Sequence, residues 1–176
     1  MIVGEAPGAR EDAEGRPFVG RAGRFLDVML IRAGLSRDVV FITNSVKCRP
    51  PANRTPRPDE LATCKHNWLD RQIQLVDPRI IVLLGAQPLR QLFGEKRRLA
   101  DIHGQVYADE RRMYFATYHP AAAMRFPAVG RTVSRDIRHL RRLVESQMPV
   151  KRDRVPSCIR HRNGAGIEGK KARRRR

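Results

Sequence analysis

Apolar positions along this chain fall into two kinds of block. Ile2-Val3, Val39-Val40-Phe41-Ile42-Thr43 and Ile80-Ile81-Val82-Leu83-Leu84 are continuous and rich in β-branched residues, the composition of strands buried on both faces. Between them apolar residues recur at intervals of three and four, which predicts helices. One such set is Phe25, Leu26, Met29, Leu30 and Ala33, beginning near Ala22 and closed by Gly34. A second, opened by Asp59-Glu60 and ended by Asp77-Pro78, turns Leu61, Cys64, Trp68, Leu69, Gln72 and Val76 inward. A short helix, Pro88 to Phe93, follows the third apolar run, and a polar stretch runs from Glu95 to Asp101. Val106-Tyr107-Ala108 and Met113-Tyr114-Phe115-Ala116-Thr117 flank a charged turn and predict a hairpin. The last helix buries Val133, Ile137, Leu140 and Val144 and turns Arg135, Arg138, Arg141 and Arg142 to solvent. This alternation predicts a three-layer α/β/α fold around a central, mainly parallel, four-stranded sheet.

Ligands of such sheets bind beyond the carboxyl ends of the strands. Three polar segments fall there. The first is a loop from Gly4 to Gly23 with five glycines and two prolines, the acids Glu5, Glu11 and Asp12, and Phe18. That many glycines lets a ligand approach the main chain closely. The second is Asn44, followed by the Pro-rich stretch Lys47 to Pro58, and the third is His119-Pro120. Each alone has an ordinary explanation: a lid over the core, a cap, a turn. The topology nevertheless makes neighbours of Gly4 and His119, which are 115 positions apart. The loop itself contains no Gly-x-Gly-x-x-Gly or Gly-Lys-Ser/Thr pattern, so it is neither a Rossmann nor a Walker fingerprint.

Charge adds a partner to this picture. The 176 residues carry a net +18, of which +9 lies in residues 151–176. A basic balance on this scale favours a polyanion, most simply nucleic acid. Residues 1–148 read as one domain, and 149–176 as a basic tail too poor in apolar residues to order itself. No apolar run approaches the roughly 20 residues of a membrane span, and the start lacks a signal-peptide pattern, so a cytoplasmic monomer is expected. Three cysteines make no disulfide framework. Cys48 and Cys64 flank the Pro-rich loop, either as buried thiols or as metal ligands, and Cys158 lies in the tail.

In this order the segments resemble the iron–sulfur uracil-DNA glycosylases of bacteria and archaea, family 4. The matching stretches are GEAPGAREDAEGRPFVGRAG, FITNSVKCRPPANRTP with its downstream Cys64, IIVLLGA and TYHPAAAMR, so the similarity runs from Ile2 to about Ser146. It implies hydrolysis of the N-glycosidic bond of uracil in single- or double-stranded DNA, leaving an abasic site for base excision repair. Phe18 would then stack on the flipped base, with Gly4 and Ala6 completing the pocket. Asn44 would pair with the uracil edge, and His119 would donate to O2. Cytosine offers the opposite donor–acceptor pattern at the atoms Asn44 reads. Glu5 is the first candidate to position water and Glu11 the second, since Ala6 stands where better-known uracil glycosylases carry an acid.

Two features depart from the family pattern. Its [4Fe-4S] cluster rests on four cysteines, of which only Cys48 and Cys64 match here, and the expectation is that an N-terminal Cys-x-x-Cys segment is missing. In the loop after His119, which carries Arg125 and contacts DNA, Met124 is the one residue large enough to wedge into a duplex, so single strands should be the better substrate. The alternative from another class is a catalytically weak or inactive nucleic-acid-binding protein on the same fold. It shares the charge but gives no reason for Phe18, Asn44 and His119 to occur together.

Overall fold

A computed structural model describes residues 1–94 and 97–147. In chain order the strands are β1 (Ile2–Gly4), β2 (Ile42–Asn44), β3 (Ile80–Leu84), β4 (Val106–Ala108) and β5 (Met113–Thr117). They lie side by side as β2-β1-β3-β5-β4, all parallel except β4, which pairs antiparallel with β5. The helices are α1 (Ala9–Glu14), α2 (Arg21–Arg32), α3 (Pro58–Cys64), α4 (Asp70–Val76), α5 (Ala86–Phe93), α6 (Leu99–Ile102), α7 (Pro120–Arg125) and α8 (Pro127–Gln147).

Alternate strand residues face opposite layers, as a pleated sheet requires. Ile2, Val82, Leu84 and Phe115 pack with Leu26, Met29 and Leu30 of α2 and with Val133, Ile137, Leu140 and Val144 of α8. Val3, Ile81, Leu83 and Ala116 pack on the other side with Leu69, Ile73, Leu89 and Ile102. Both faces are covered, and this is why the β3 run is apolar throughout. The three-layer architecture is as expected.

Several expectations are corrected. The sheet has five strands rather than four, because the hairpin adds β4 as an antiparallel edge. The run 39–43 is not one strand buried on both faces. Residues 37–39 form a turn of 3₁₀ helix, and only Ile42–Asn44 pairs with β1. As part of an edge segment, Val39 and Phe41 are exposed. Helix 59–76 is interrupted by a π-turn over Lys65–Leu69. A π-turn inserts a residue into the helical repeat, and Trp68, expected inside, is turned out to 56% exposure. The polar stretch contains α6, with residues 95–96 outside the described residues. The tail from 149 onward, with Cys158, also lies outside them.

Candidate active site

The carboxyl ends of β1 and β2 are in register, Gly4 opposite Asn44. The loops leaving them stay joined: Ser45 N–H donates to the Gly4 carbonyl at 2.8 Å and Val46 N–H to that of Glu5 at 3.2 Å. β5 ends two residues before His119, at the same edge of the sheet. The three ends enclose a cavity of about 340 Å³ whose lining includes Glu5, Ala6, Glu11, Phe18, Asn44 and His119. Of the pocket residues expected from the sequence, Ala6, Phe18, Asn44 and His119 line it, whereas Gly4 lies behind Phe18 and Asn44.

Phe18 enters this cavity by an unusual backbone route. Its φ is +55°, in the left-handed region that costs a bulky residue about 1–3 kcal/mol. The ring is buried beside the His119 imidazole, with centroids 5.7 Å apart and planes at 33°. Its edge rests on Gly4. A Cβ at Gly4 would stand 2.4 Å from Phe18 Cζ and 2.5 Å from Asn44 Oδ1. Gly4 is thus the contact point where the ring and the amide converge, and only a residue without a side chain fits.

Asn44 is 5% exposed, and among the described residues its Oδ1 has no hydrogen-bond partner. Buried polar atoms are rarely left so, and an amide facing a cavity in this state is ready to accept from a ligand. Its main chain is held by Lys47, whose Nζ donates to the Asn44 carbonyl at 2.7 Å, to Thr43 Oγ1 at 2.8 Å and to Gln72 Oε1 at 2.8 Å. Burial lowers the Lys47 pKa to about 8, against a smaller opposing effect of Cys64. Sequence reasoning missed Lys47 because nothing local links it to Gln72, 25 positions away.

His119 caps α7. Ala121 N–H donates to its Nδ1 at 3.2 Å, which puts the proton of the neutral ring on Nε2. Burial lowers its pKa from 6.5 to about 4, outweighing the opposite pull of the Glu11 carboxylate. The ring is therefore a neutral donor at pH 7.

The two candidate acids differ in what occupies them. Glu11 Oε1 accepts from Gly20 N–H at 2.7 Å, which ties the glycine loop closed. Burial raises the Glu11 pKa, but the main-chain N–H groups of Gly20, Glu11 itself, Gly8 and Val19 outweigh it and hold the carboxyl below its usual range. Glu5 also lines the cavity, and burial raises its pKa. Asp12, on α1, caps nothing through its side chain, and the helix N-cap is Gly8.

Further along α7, of which Ala121 lines the cavity, Met124 is 41% exposed, and Arg125 stacks over Phe126 at 5.2 Å. Phe126, itself exposed, is a second large apolar side chain there, missed because it follows the Arg that closes the motif. Pro50, Asn53 and Arg54 of the Pro-rich loop also line the cavity. Their place after a strand end was the available signal. Cys48 is exposed, and Cys64 is half-buried at the end of α3. Among the described residues no three His, Cys, Asp or Glu side chains group as a metal site. Two thiols do not fit a [4Fe-4S] cluster, which needs four ligands.

Residues 1–143 match the model of the uracil DNA glycosylase superfamily. The chain is 44% identical to a type-4 uracil-DNA glycosylase of Sulfurisphaera tokodaii over 81% of its own length and 69% of the relative's. It is 47% identical to the type-4 enzyme of Pyrobaculum aerophilum over 78% and 74% of the two chains. For that of Saccharolobus solfataricus the figures are 40%, 84% and 72%.

Proposed function

Because the chain belongs to the uracil-DNA glycosylase superfamily and, within it, to the type-4 enzymes, we propose that it hydrolyses the N-glycosidic bond of uracil in DNA and leaves an abasic site. The observation that carries this is one cavity holding a buried aromatic ring, an unpartnered amide oxygen and a neutral histidine donor.

Each side chain has a task in that reaction. The target base leaves the stack and lies on Phe18. Asn44 Oδ1 accepts from uracil N3–H while Nδ2 donates to O4, a pairing that cytosine inverts. As the C1′–N1 bond breaks, its electron pair moves into the uracil ring and charge gathers at O2. His119 Nε2–H donates there, and a preorganised donor in a desolvated site stabilises developing charge strongly. Water adds to C1′ and gives its proton to Glu5, whose raised pKa suits a base. Glu11 is committed to Gly20 and serves to keep the loop folded. Met124, Arg125 and Phe126 meet the DNA beside the extruded base.

The substrate we propose is uracil in single- or double-stranded DNA, with the protein acting as a cytoplasmic monomer. Cys48 and Cys64 make only half the ligand set of a [4Fe-4S] cluster, and no step above passes through such a group. The test is release of free uracil from a uracil-containing oligonucleotide, followed by cleavage at the abasic site. His119→Ala should cut turnover while sparing DNA affinity. Failure of the folded protein to release uracil overturns the proposal in favour of a DNA-binding role.

A further inference from the structure

The left-handed backbone at Phe18 needs a restraint, and the structure supplies one from outside the pocket. Arg37 Nη2 donates to the Phe18 carbonyl at 2.7 Å and Nη1 to that of Pro17 at 3.3 Å. The third donor, Nε, bonds Asp27 Oδ1 of α2 at 2.9 Å, which fixes the plane of the guanidinium. The Phe18 carbonyl is pressed against α2, where a Cβ at Gly23 would stand 1.8 Å from its oxygen. On the ring side the walls are Gly4 and the His119 imidazole. The aromatic ring is thus fixed at one end by the pocket and at the other by two carbonyls that share one cation.

We propose that Arg37 is a positioning residue for uracil excision, holding the Phe18 main chain in the conformation that lays the ring on the pocket floor. Arg37 and Asp27 do not line the cavity, so they act through Phe18 and touch no substrate atom. The ion pair itself is partly exposed, with side-chain exposures of 31% and 45%. Such a pair adds little stability on its own. Its value lies in the fork geometry of arginine, which can serve two carbonyls and a carboxylate at once where lysine cannot. The inference rests on the glycosylase chemistry proposed above.

The test is a double-mutant cycle. Uracil excision under single-turnover conditions and affinity for free uracil are measured in the wild type, Arg37→Met, Phe18→Ala and the double variant. Arg37→Met should weaken both on the order of tenfold, the scale of one charged hydrogen bond. In the Phe18→Ala background it should change neither, because no ring remains to be placed. An equal loss in both backgrounds means a merely structural arginine and overturns the proposal, as does wild-type behaviour of Arg37→Met. If Arg37→Met does not fold, Arg37→Lys and Asp27→Asn take its place, with partial losses expected. Fluorine NMR of 4-fluorophenylalanine at position 18 reads the ring without reference to activity. The arginine variants should broaden or shift its resonance, and an unchanged resonance refutes the clamp. A wild-type protein that releases no uracil but shows this change would sink the glycosylase reading and leave the clamp standing.

Discussion

Burial makes His119 a neutral donor, and that has a measurable consequence in pH. Its folded-state pKa of about 4 lies below the ordinary 6.5. Between these values the unfolded chain binds a proton that the folded chain does not. Stability linked to His119 is therefore complete above about pH 6.5 and is lost as pH falls towards 4. NMR of the imidazole should give a midpoint near 4, and His119→Gln should remove part of the loss of stability between pH 6.5 and 4. A midpoint near 6.5 would contradict a desolvated ring. Gly4 makes the second prediction. A methyl group there meets the Phe18 ring and the Asn44 amide together, and misplacing positioning groups by about 1 Å costs on the order of a hundredfold in rate. Gly4→Ala should lower single-turnover excision on that scale. A rate within a few-fold of wild type would mean that neither side chain touches the reacting base.

Helix α8 reaches the site without lining it. Asp136, 3% exposed, accepts from Thr117 Oγ1 at 2.6 Å and faces His103 Nδ1 at 3.1 Å. Thr117 ends β5, two residues before His119, so this carboxylate anchors the strand end from which the His119 segment departs. Removing it strands a buried hydroxyl. Asp136→Ala should destabilise the protein by about 3 kcal/mol, read as a lower denaturant midpoint at unchanged slope. The same buried acid interrupts the apolar stripe of α8, yet the helix was legible in the sequence from Val133, Ile137, Leu140 and Val144. The helix after the Pro-rich loop was legible only in part. Its periodicity located the segment, but the π-turn over Lys65–Leu69 depends on packing and put Trp68 on the opposite side from the one its spacing implied.

The net charge of +18 belongs to the whole molecule, and its arrangement carries a prediction. Arg131, Arg135, Arg138 and Arg142 recur at helical spacing along the exposed side of α8. The first three line a groove with Arg32 of α2. A row of arginines at this spacing can neutralise successive phosphates of a nucleic-acid backbone. Replacing Arg135 and Arg138 by Glu should weaken DNA binding and reduce the slope of log affinity against log salt by about 2. Excision from saturating substrate should stay unchanged. An unaltered slope would mean that the groove is ordinary solvated surface. No helix among the described residues is long and apolar enough to cross a membrane.

The opening glycine loop shows where local information ends. Strand and helix periods, with the rule that parallel sheets bind ligands at their carboxyl ends, were sufficient to bring Gly4, Asn44 and His119 to one edge. Those signals are local, or follow from topology alone. The chemistry of the edge was not local. The neutral state of His119 comes from burial against residues distant in the chain, Phe18 among them, 101 positions away. The unpaired Asn44 oxygen exists because Gly4 and Phe18 close around it. The left-handed turn at Phe18 is set by Arg37, 19 residues on, and by a helix that comes close enough only at Gly23. Such features depend on contacts between distant segments, and a contact of that kind leaves no period in the sequence.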